Sequence, residues 1–438
     1  MNRWMTQQSK RLLLKSFEGL RSGRLEIVCP ERVYEFGDGS SPLRATLAIH
    51  NDRFFSRALF GGDVGMGESY MDGDWSSPDL VSVIRLAVRN LSLIEGESKP
   101  LSAFSRVVDF VRHRLRDNTV TGSRRNIHHH YDLSNDFFRL FLDPSMLYSC
   151  AYYRSPEDSL EAAQEQKLDR ICSKLRLEPN DHVLEIGSGW GAFAVHAVEK
   201  YGCRVTTTTI SREQYNYAGA RFSELGFGRD RITLLLSDYR GLKGRFDKIV
   251  SIEMFEAVGL KHYNEFFTAC DRLLQPEGAM LLQTITILDQ KFHAYRKRCD
   301  WIQKYIFPGA ELASVSEILR SLARSTKLSL FNLEDIGTHY ARTLAAWRDR
   351  FQSSLPAVRQ LGFDDRFIRM WDFYLAGCEG SFLERHIGDA QLLLTRNHNP
   401  QTLFGEPWVA DYHPETRSDE NGCHIGMRTH KPDAAEKL

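Results

Sequence analysis

Strand-like and helix-like segments alternate through the middle of the chain, and this alternation restricts the fold more than any other feature. Residues 181–202, DHVLEIGSGWGAFAVHAVEKYG, have the pattern of a strand, a glycine-rich turn and a helix. A second strand and helix are predicted over 203–226, and further strands over 231–239, 246–254 and 279–287. Strands that alternate with helices in this way predict an α/β fold with a parallel, doubly wound sheet. Ligands of such sheets bind at the carboxyl ends of the strands.

The glycine-rich turn lies at that edge, directly after its strand. Gly187, Gly189 and Gly191 have the spacing G-x-G-x-G. Glycine has no Cβ atom, so the backbone can turn tightly there and approach a bound ligand closely. A dinucleotide site usually has its third glycine one position later, where this chain has Ala192, and an acidic residue after the second strand, which ends here in TTTTIS. S-adenosylmethionine (SAM) has no pyrophosphate to cradle, and the turn therefore favours SAM over NAD.

Two residues after the third strand are candidates for an adenine site. Asp238 follows the strand, where its carboxylate can accept a hydrogen bond from the exocyclic amine of adenine. The neighbouring Tyr239 can pack against the ring. A helix cap is the alternative role for Asp238, because aspartate is common at that position too.

The chain divides into four parts by pattern. Residues 1–95 contain short strand-like segments separated by Gly, Pro, Asp and Ser, and predict a small N-terminal α+β domain. Residues 96–125 are polar and basic and suit a linker with a helix, while 126–398 form the predicted catalytic domain. Residues 399–438 are polar and rich in His, Pro and Asp, and predict a loose tail.

Composition excludes several classes of protein. With 42% hydrophobic and 26% charged residues, the 438-residue chain is typical of globular proteins. Lysine plus arginine and aspartate plus glutamate balance at 57 each, and no basic stripe with interleaved aromatic residues predicts binding to nucleic acid. The eight cysteines form no C-x-x-C pair, which argues against a zinc ribbon. Neither a signal-peptide core nor a membrane-spanning apolar run is visible, so we expect a cytoplasmic location.

Three consecutive histidines open the segment HHHYDLSNDFFRLFLDPSMLYSC, residues 128–150. The run is too short and too far inside the chain to be a purification tag. Adjacent histidine side chains converge poorly on one ion, and no carboxylate partner is indicated, so the pattern argues against a metal site.

Several motifs occur in the order typical of one enzyme family, and the chain resembles the cyclopropane-fatty-acid synthases, a group that includes the mycolic acid cyclopropane synthases. The motifs are GMGESYMDGDW (65–75), HYDLSNDFF (130–138), YSCAYY (148–153), LEIGSGWG (184–191), TISREQ (209–214), MFEAVG (254–259), KYIFPG (304–309) and THYARTLAAW (338–347). The resemblance covers about residues 20–397. It implies a SAM-dependent methyltransferase with a Rossmann-like catalytic domain, in which HYD belongs to a segment that covers the active site.

The resemblance also implies which residues bind SAM. Most of them lie in the motifs at 148–153, 184–191 and 209–214. The two adenine candidates, Asp238 and Tyr239, complete the set. The full set is Tyr148, Ser149, Glu185, Gly187, Ser188, Gly189, Trp190, Gly191, Thr209, Ile210, Ser211, Gln214, Asp238 and Tyr239.

In this family a bound bicarbonate ion takes a proton during the reaction, and a Cys, a Glu, a His and a Tyr hold the ion. By position, the resemblance assigns three of these roles to Cys150, Glu256 and Tyr340. The fourth position is Gln283, because the family's LLHTI is LLQTI here, and the family's FEH is FEA with Ala257. Glutamine can donate a hydrogen bond to an anion but cannot carry a charge or shuttle a proton. Bicarbonate binding and the identity of the product are therefore both open.

One more cysteine has a family counterpart. Cys378, in LAGCEGSF, stands where a further cysteine has been proposed as catalytic. The implied mechanism needs no protein nucleophile, and a buried helix cysteine is the alternative interpretation.

The implied reaction transfers a methyl group from SAM to a cis double bond of a phospholipid acyl chain, and the resulting cation loses a proton as a cyclopropane ring closes. Water would quench the cation, so we expect a pocket of apolar and aromatic side chains. At most half of the following residues are expected to line it: Tyr131, Phe137, Phe138, Tyr152, Tyr153, Phe255, Tyr305 and Tyr340. Loss of a different proton would give a methylene- or methyl-branched chain, which is the second hypothesis. The remaining alternatives are a SAM methyltransferase for another lipid or small molecule, and a decayed, non-catalytic lipid-binding protein.

Two basic segments predict contact with a membrane surface. Residues 1–22 have the pattern of an amphipathic basic helix, with Leu12, Leu13, Phe17 and Leu20 at the apolar positions. The second segment contains Arg112, Arg114, Arg116, Arg124 and Arg125. The N-terminal domain resembles the extension of phospholipid-acting family members. The resemblance therefore favours an unsaturated phospholipid as substrate, a peripheral position on the inner face of the membrane, and a homodimer.

Overall fold

The computed structural model describes residues 3–91, 133–397 and 399, and these residues form two β-sheets with their flanking helices. The N-terminal elements are α1 (Arg3–Phe17), β1 (Arg24–Val28), β2 (Val33–Gly37), β3 (Arg44–Ile49), α2 (Arg53–Met71), β4 (Trp75–Ser76) and α3 (Leu80–Arg89). The four strands are ordered β2-β1-β3-β4, and only β1 and β3 are parallel neighbours. Strands β1, β2 and β3 correspond to the short strand-like segments predicted in this region.

The second sheet lies in the predicted catalytic domain. Its elements are α4 (Asn135–Arg139), α5 (Leu160–Leu175), β5 (His182–Ile186), α6 (Ala192–Tyr201), β6 (Arg204–Thr209), α7 (Arg212–Glu224), β7 (Ile232–Leu236), β8 (Phe246–Ile252), α8 (Tyr263–Leu273), β9 (Leu274–Ile287), α9 (Asp289–Tyr295), α10 (Trp301–Tyr305), α11 (Val315–Ser325), β10 (Leu328–Asp335), α12 (Gly337–Ser353), α13 (Leu355–Gln360), α14 (Asp365–Leu383) and β11 (Ile387–Arg396). The predicted parallel sheet is confirmed, and β10 and β11 extend it as antiparallel strands.

The order of the seven strands is β10-β11-β9-β8-β5-β6-β7. From β5 the chain moves outward through β6 and β7, and it then returns to the other side of β5 to form β8. A reversal of this kind leaves a crevice at the carboxyl ends of the two central strands, β5 and β8. The glycine-rich turn follows β5, and it therefore opens onto the crevice.

Helix α8 ends at Leu273, and β9 begins at the next residue. Pro276 lacks a backbone N–H and cannot continue a helix, and a Cβ atom on Gly278 would lie 2.7 Å from the Asp247 carbonyl oxygen.

A hydrophobic core connects the N-terminal part to helices α12 and α14. The indole of Trp75, which is fully buried, meets Phe373 of α14 with their ring centroids 6.4 Å apart. Beside them, the Tyr70 hydroxyl donates a hydrogen bond of 2.6 Å to Asp372. The helix that packs against the N-terminal sheet is thus also a wall of the catalytic part, while the four domain boundaries stay a prediction.

Several predicted features lie outside the described residues. They are the linker and the basic segment within 96–125, residues 128–132 with their histidines, and residues 400–438 of the predicted tail. Within the described ranges, no helix combines the length and the apolar character needed to cross a membrane.

Candidate active site

A cavity of about 310 Å³ lies at the carboxyl ends of β5 and β8. Small-molecule sites typically have volumes of about 300–1,000 Å³. The walls come from the loop before α5, the turns after β5 to β8, and helices α12 and α14. All the predicted SAM residues line this cavity except Gly191 and Ser211.

The glycine-rich turn needs glycine at three positions. Gly187, Gly189 and Gly191 have φ angles of 99°, 49° and 87°, which side chains rarely adopt. A Cβ atom on Gly191 would lie 2.7 Å from the ring of Phe222, so this glycine allows α7 to pack closely. A Cβ atom on Gly189 would meet no atom within 4 Å. The backbone at Gly189 therefore borders the open cavity, where a ligand can approach it.

The turn after β6 presents an amide to the cavity. The Thr209 hydroxyl donates a 2.9 Å hydrogen bond to Gln214 Oε1, which leaves the amide nitrogen as the donor for a ligand hydroxyl. Ser211 lies outside the cavity wall, and its hydroxyl caps α7 by accepting from the Gln214 backbone N–H.

Asp238 lines the cavity, but its carboxylate already has a partner. It accepts two 2.8 Å hydrogen bonds from the Arg240 guanidinium, and it caps the short helical turn over 239–241. Asp238 therefore has the alternative role, that of a helix cap. Tyr239 lines the same wall and packs edge-on against Phe266. A hydrogen bond from adenine to Asp238 stays a prediction.

A buried lysine that the sequence analysis missed holds Ser149 in place. Lys167 of α5 donates a 2.7 Å hydrogen bond to the Ser149 hydroxyl, and Gln164 donates to the Ser149 carbonyl at 2.9 Å. Lys167 is fully buried, and burial lowers its pKa. Its position on the inward face of α5, beside Leu168 and Ile171, was the available signal, because lysine is rare on such a face unless it is paired.

Glu185 is the second-last residue of β5, next to the glycine-rich turn. Burial raises the pKa of Glu185 to about 8, although a 2.6 Å hydrogen bond from the Thr207 hydroxyl and the charge of Lys167 act in the opposite direction. A carboxyl with this pKa takes up a proton near neutral pH and can lose it when a cation binds nearby.

The innermost part of the site is built around Glu253, which the sequence analysis did not single out. Its Oε1 accepts hydrogen bonds from the Cys150 backbone N–H at 2.7 Å and from Gln283 Nε2 at 2.8 Å. Its Oε2 accepts from the Tyr340 hydroxyl at 2.6 Å. Glu253 lines the cavity directly after β8 and has a φ of 48°, a conformation that favours glycine.

A chain of buried hydrogen bonds fixes the orientation of the Gln283 amide. The Lys174 ammonium can only donate, so Gln391 presents its oxygen to it, at 2.7 Å. Gln391 must then offer its amide nitrogen to the Gln283 oxygen, at 3.0 Å. Gln283 and Gln391 are directly opposed in the β9–β11 pair. The Gln283 nitrogen consequently faces Glu253.

A second carboxyl shares that nitrogen. Gln283 Nε2 also donates to Asp389 Oδ2 at 3.0 Å. Burial and the neighbouring charge of Glu253 raise the pKa of Asp389 well above its usual range. Burial raises the pKa of Glu253 too, but its three donors and the Lys167 charge act in the opposite direction, so the proton of this pair favours Asp389.

Glu256 occupies the turn over 255–257 on the cavity wall. Its Oε1 accepts from the Thr284 hydroxyl at 3.0 Å and from the Ile285 backbone N–H. Its Oε2 is buried and has no hydrogen-bond partner within the described part of the chain. Burial and the charge of Glu253 raise the pKa of Glu256 to about 7.

Comparison with known proteins supplies the family. The model of the mycolic acid cyclopropane synthetase family matches residues 118–392. The chain belongs to this family. Tuberculostearic acid methyltransferase UfaA1 of Mycobacterium tuberculosis is 37% identical over 378 residues, which cover 83% of this chain and 88% of that protein. Cyclopropane-fatty-acyl-phospholipid synthase of Escherichia coli is 38% identical over 368 residues, which cover 82% and 89%.

Solved structures agree with this assignment. Mycolic acid cyclopropane synthase CmaA1 complexed with SAH and CTAB matches with a TM-score of 0.58 and 33% identity, over 62% of this chain and 98% of that chain. The Rossmann-like methyltransferase fold and the family resemblance are confirmed. This cyclopropane synthase family member is a SAM-dependent methyltransferase.

The cavity of this family member fits SAM. Gly189 leaves space against its backbone, and Gln214 offers a donor for hydroxyl groups. The carboxyl groups of Glu185, Glu253 and Glu256 line the same cavity. In their ionised form these groups complement the positive sulfonium of SAM, and Glu185 can lose its proton when that cation binds nearby.

The four predicted bicarbonate ligands lie close together, but the Glu253 side chain occupies the space between them. Tyr340 and Glu256 line the cavity, whereas Cys150 and Gln283 lie behind Glu253. The Cys150 thiol donates to the Ile336 carbonyl at 3.6 Å, and burial raises its pKa well above the usual range. Toward Glu253, Cys150 contributes its backbone N–H.

Cys378 lines the cavity from α14. Burial raises the pKa of its thiol to about 12, so the thiol is protonated at neutral pH and is a poor nucleophile.

The aromatic lining differs from the predicted set. Of the predicted residues that the structure describes, only Tyr340 lines the cavity, and Phe137 and Phe138 belong to an aromatic core around Trp371. The aromatic lining that the sequence analysis missed is Phe193, Tyr295, Phe307, Tyr374 and Phe382. No cluster of potential metal ligands occurs in the described residues.

Proposed function

We propose that this enzyme transfers a methylene carbon from SAM to the cis double bond of an unsaturated phospholipid acyl chain and forms a cyclopropane fatty acid. The observation that carries the proposal is one cavity with two chemically different ends. The glycine-rich turn borders one end, and buried carboxyl groups and apolar walls form the other.

SAM, when bound, supplies an electrophilic methyl group. Residues suited to hold it are Gly189 and Gln214, together with Ser149, which Lys167 fixes in position. An alkene is a weak nucleophile, so the rate depends on how closely these residues align the two partners.

The apolar walls suit the cation that forms on the acyl chain. Phe307, Leu344 and Phe382 line the cavity and exclude water. The Tyr374 ring is on the same wall, held through a 2.9 Å hydrogen bond between its hydroxyl and that of Tyr148. Aromatic faces stabilise positive charge by about 0.5–2 kcal/mol.

A methylene-branched acyl chain is the second candidate product. Two observations favour it: Gln283 stands where the family has histidine, and one relative is named a tuberculostearic acid methyltransferase. The same cation gives this product if a hydride shift precedes loss of the proton.

The test is an incubation of the enzyme with SAM and vesicles of a cis-unsaturated phospholipid, followed by proton NMR of the released fatty acids. Strongly upfield ring protons are expected. Vinylidene protons would replace the cyclopropane by the methylene branch, and no lipid product in the presence of bound SAM would contradict both.

Helix α1 supports a membrane-bound substrate. Trp4 and Leu12 are 66% and 54% exposed, and the basic residues Arg11 and Lys15 are exposed beside them. Leu13 is buried, and Phe17 and Leu20 are half-buried, so these three anchor α1 instead. An exposed face of apolar and basic residues suits an anionic membrane surface.

Replacement of both Trp4 and Leu12 by Ala should reduce cosedimentation with anionic phosphatidylglycerol vesicles by about tenfold or more, because two apolar side chains no longer enter the membrane. Leu225→Ala, at another exposed leucine, is the matched control. Equal cosedimentation of all three proteins would contradict the role of α1. The peripheral location on the inner membrane face and the homodimer stay predictions.

A further inference from the structure

Glu253 has a strained backbone conformation for a residue with a side chain. Its φ of 48° lies in the left-handed region, which favours glycine over every residue with a side chain. Strain of this kind persists where the surrounding structure enforces it, and it is concentrated at functional sites. The Glu253 N–H donates to the Gln283 carbonyl at 2.8 Å, which ties the strained residue to β9.

Separate elements converge on the Glu253 carboxylate. Cys150 comes from the loop before α5, Gln283 from β9 and Tyr340 from α12. Their three donors lie 2.6–2.8 Å from the carboxylate oxygens. Together they form a binding site for a planar anion with two or three oxygens, and the protein's own side chain fills it.

These contacts do not fit a bicarbonate ion. Three of the four residues that the family resemblance assigns to bicarbonate donate to Glu253 instead, and the fourth, Glu256, is itself a carboxyl group. A bicarbonate ion would have to displace a carboxylate that is covalently part of the chain.

We infer that Glu253 is the catalytic base of this enzyme and replaces the bicarbonate ion of its family. The inference rests on the proposed function, since it names the group that takes the proton in that reaction. Burial raises the pKa of Glu253, which makes its carboxylate a better proton acceptor than an exposed one.

The proton step balances without any further reactant. One C–H bond of the newly added carbon breaks, and its electron pair forms the C–C bond that closes the ring. The proton goes to Glu253, which lines the cavity; its Oε2 accepts from the Tyr340 hydroxyl, and an ionised carboxylate oxygen has a second lone pair. Gln283 acts as a positioning residue, because it holds the other oxygen.

The first experiment uses the unmodified enzyme with SAM and cis-unsaturated phospholipid vesicles, in carbon dioxide-free buffer and in buffer with added bicarbonate. Equal rates are expected in the two buffers. Stimulation by bicarbonate of about tenfold or more would overturn the inference, because a general base contributes more than that.

Two variants distinguish the chemical role of the Glu253 carboxylate from the space that its side chain fills. Glu253→Gln should lower the rate by about 100–10,000-fold, the usual contribution of a general base, while SAM binding by calorimetry is retained. Glu253→Gly relieves the strained φ and leaves the three donors unoccupied, so added bicarbonate should restore part of its activity. Near-wild-type activity of Glu253→Gln would overturn the inference.

Binding of carbon-13-labelled bicarbonate, followed by NMR, adds a readout that does not depend on turnover. Saturable binding is expected for Glu253→Gly and none for the wild type. Wild-type binding that is competed by formate would overturn the inference. If the wild type forms no lipid product in either buffer, the proposed function fails, and this binding measurement still decides what occupies the site.

Discussion

The two ends of the cavity are constructed differently. The SAM end is dominated by one continuous segment, the turn from Gly187 to Gly191, whose role follows from its local backbone. The carboxylate end brings together Cys150, Glu253, Gln283 and Tyr340, which come from four separate places in the chain. The first end therefore depends on backbone conformation, and the second on long-range hydrogen bonds.

Valine substitutions in the glycine-rich turn should have the largest effect. Gly189→Val fills open cavity space, so SAM affinity should fall by about 100-fold or more, while the left-handed backbone costs about 1–2 kcal/mol of unfolding free energy. Gly191→Val also meets the Phe222 ring and should lose considerably more stability. Calorimetric SAM titration and thermal unfolding check both variants. Equal stability losses would contradict the distinction between a ligand-facing glycine and a packing glycine.

Tyr340→Phe tests the carboxylate end alone. It removes the donor to Glu253 Oε2, a hydrogen bond to a charged group worth about 1.5–3 kcal/mol, so we expect about a 10- to 100-fold loss of turnover. SAM affinity should not change. Tyr374→Phe, which removes the hydroxyl contact with Tyr148, is the control and should lose less. A matching loss of SAM affinity in Tyr340→Phe would mean that the two ends are not independent.

A more distant change should have a smaller effect on the same end. Gln391→Met breaks the chain from Lys174 to Gln283, so the Gln283 amide is free to turn its oxygen toward Glu253. We expect about a 3- to 10-fold loss of kcat from one neutral hydrogen bond, with KM unchanged. Thr395→Val, at a buried polar position of the same strand β11, is the control. Equal losses in the two variants would indicate a general disturbance of β11.

The last test measures stability as a function of pH and leaves activity aside. The pKa of Glu256 is about 7 in the folded protein and near 4.5 in the unfolded chain, so the folded state binds more protons between these values. Stability is therefore lost as pH rises toward 7, by about 1.4 kcal/mol for each unit of pKa shift at most. Glu256→Gln removes this loss, and its thermal midpoint relative to the wild type should increase from pH 5 to pH 8. If the difference between the two thermal midpoints were the same at pH 5 and pH 8, Glu256 would not be the carboxyl group with the raised pKa.

Patterns in the sequence predicted those features that depend on neighbouring residues. The alternation of strands and helices gave the parallel sheet, because hydrophobic periodicity is a local property. Gly187, Gly189 and Gly191 were identified because a turn of this kind needs positive φ angles at fixed spacing. Local pattern alone did not decide the role of Asp238, because it was compatible with both adenine binding and helix capping. The hydrogen bonds from Arg240 favour the role of helix cap.

Motif matching assigned Cys150, Glu256, Gln283 and Tyr340 to one site, and the fold brings all four close together. It did not identify the group they surround, because Glu253 stands just outside the motif MFEAVG and nothing local to it indicates three distant donors. Asp389 was missed for the same reason, since its partner Gln283 is far away in the sequence.

The sequence by itself determined the fold class, the glycine-rich turn and the family, because each depends on residue order and short-range backbone preference. Only the tertiary structure decided which carboxyl group occupies the innermost position and which side chains line the acyl end. Burial and hydrogen bonding between distant elements set the pKa of Glu253 and the protonation of Asp389. Those quantities exist only when the elements have packed together, and the chemistry of the site depends on them.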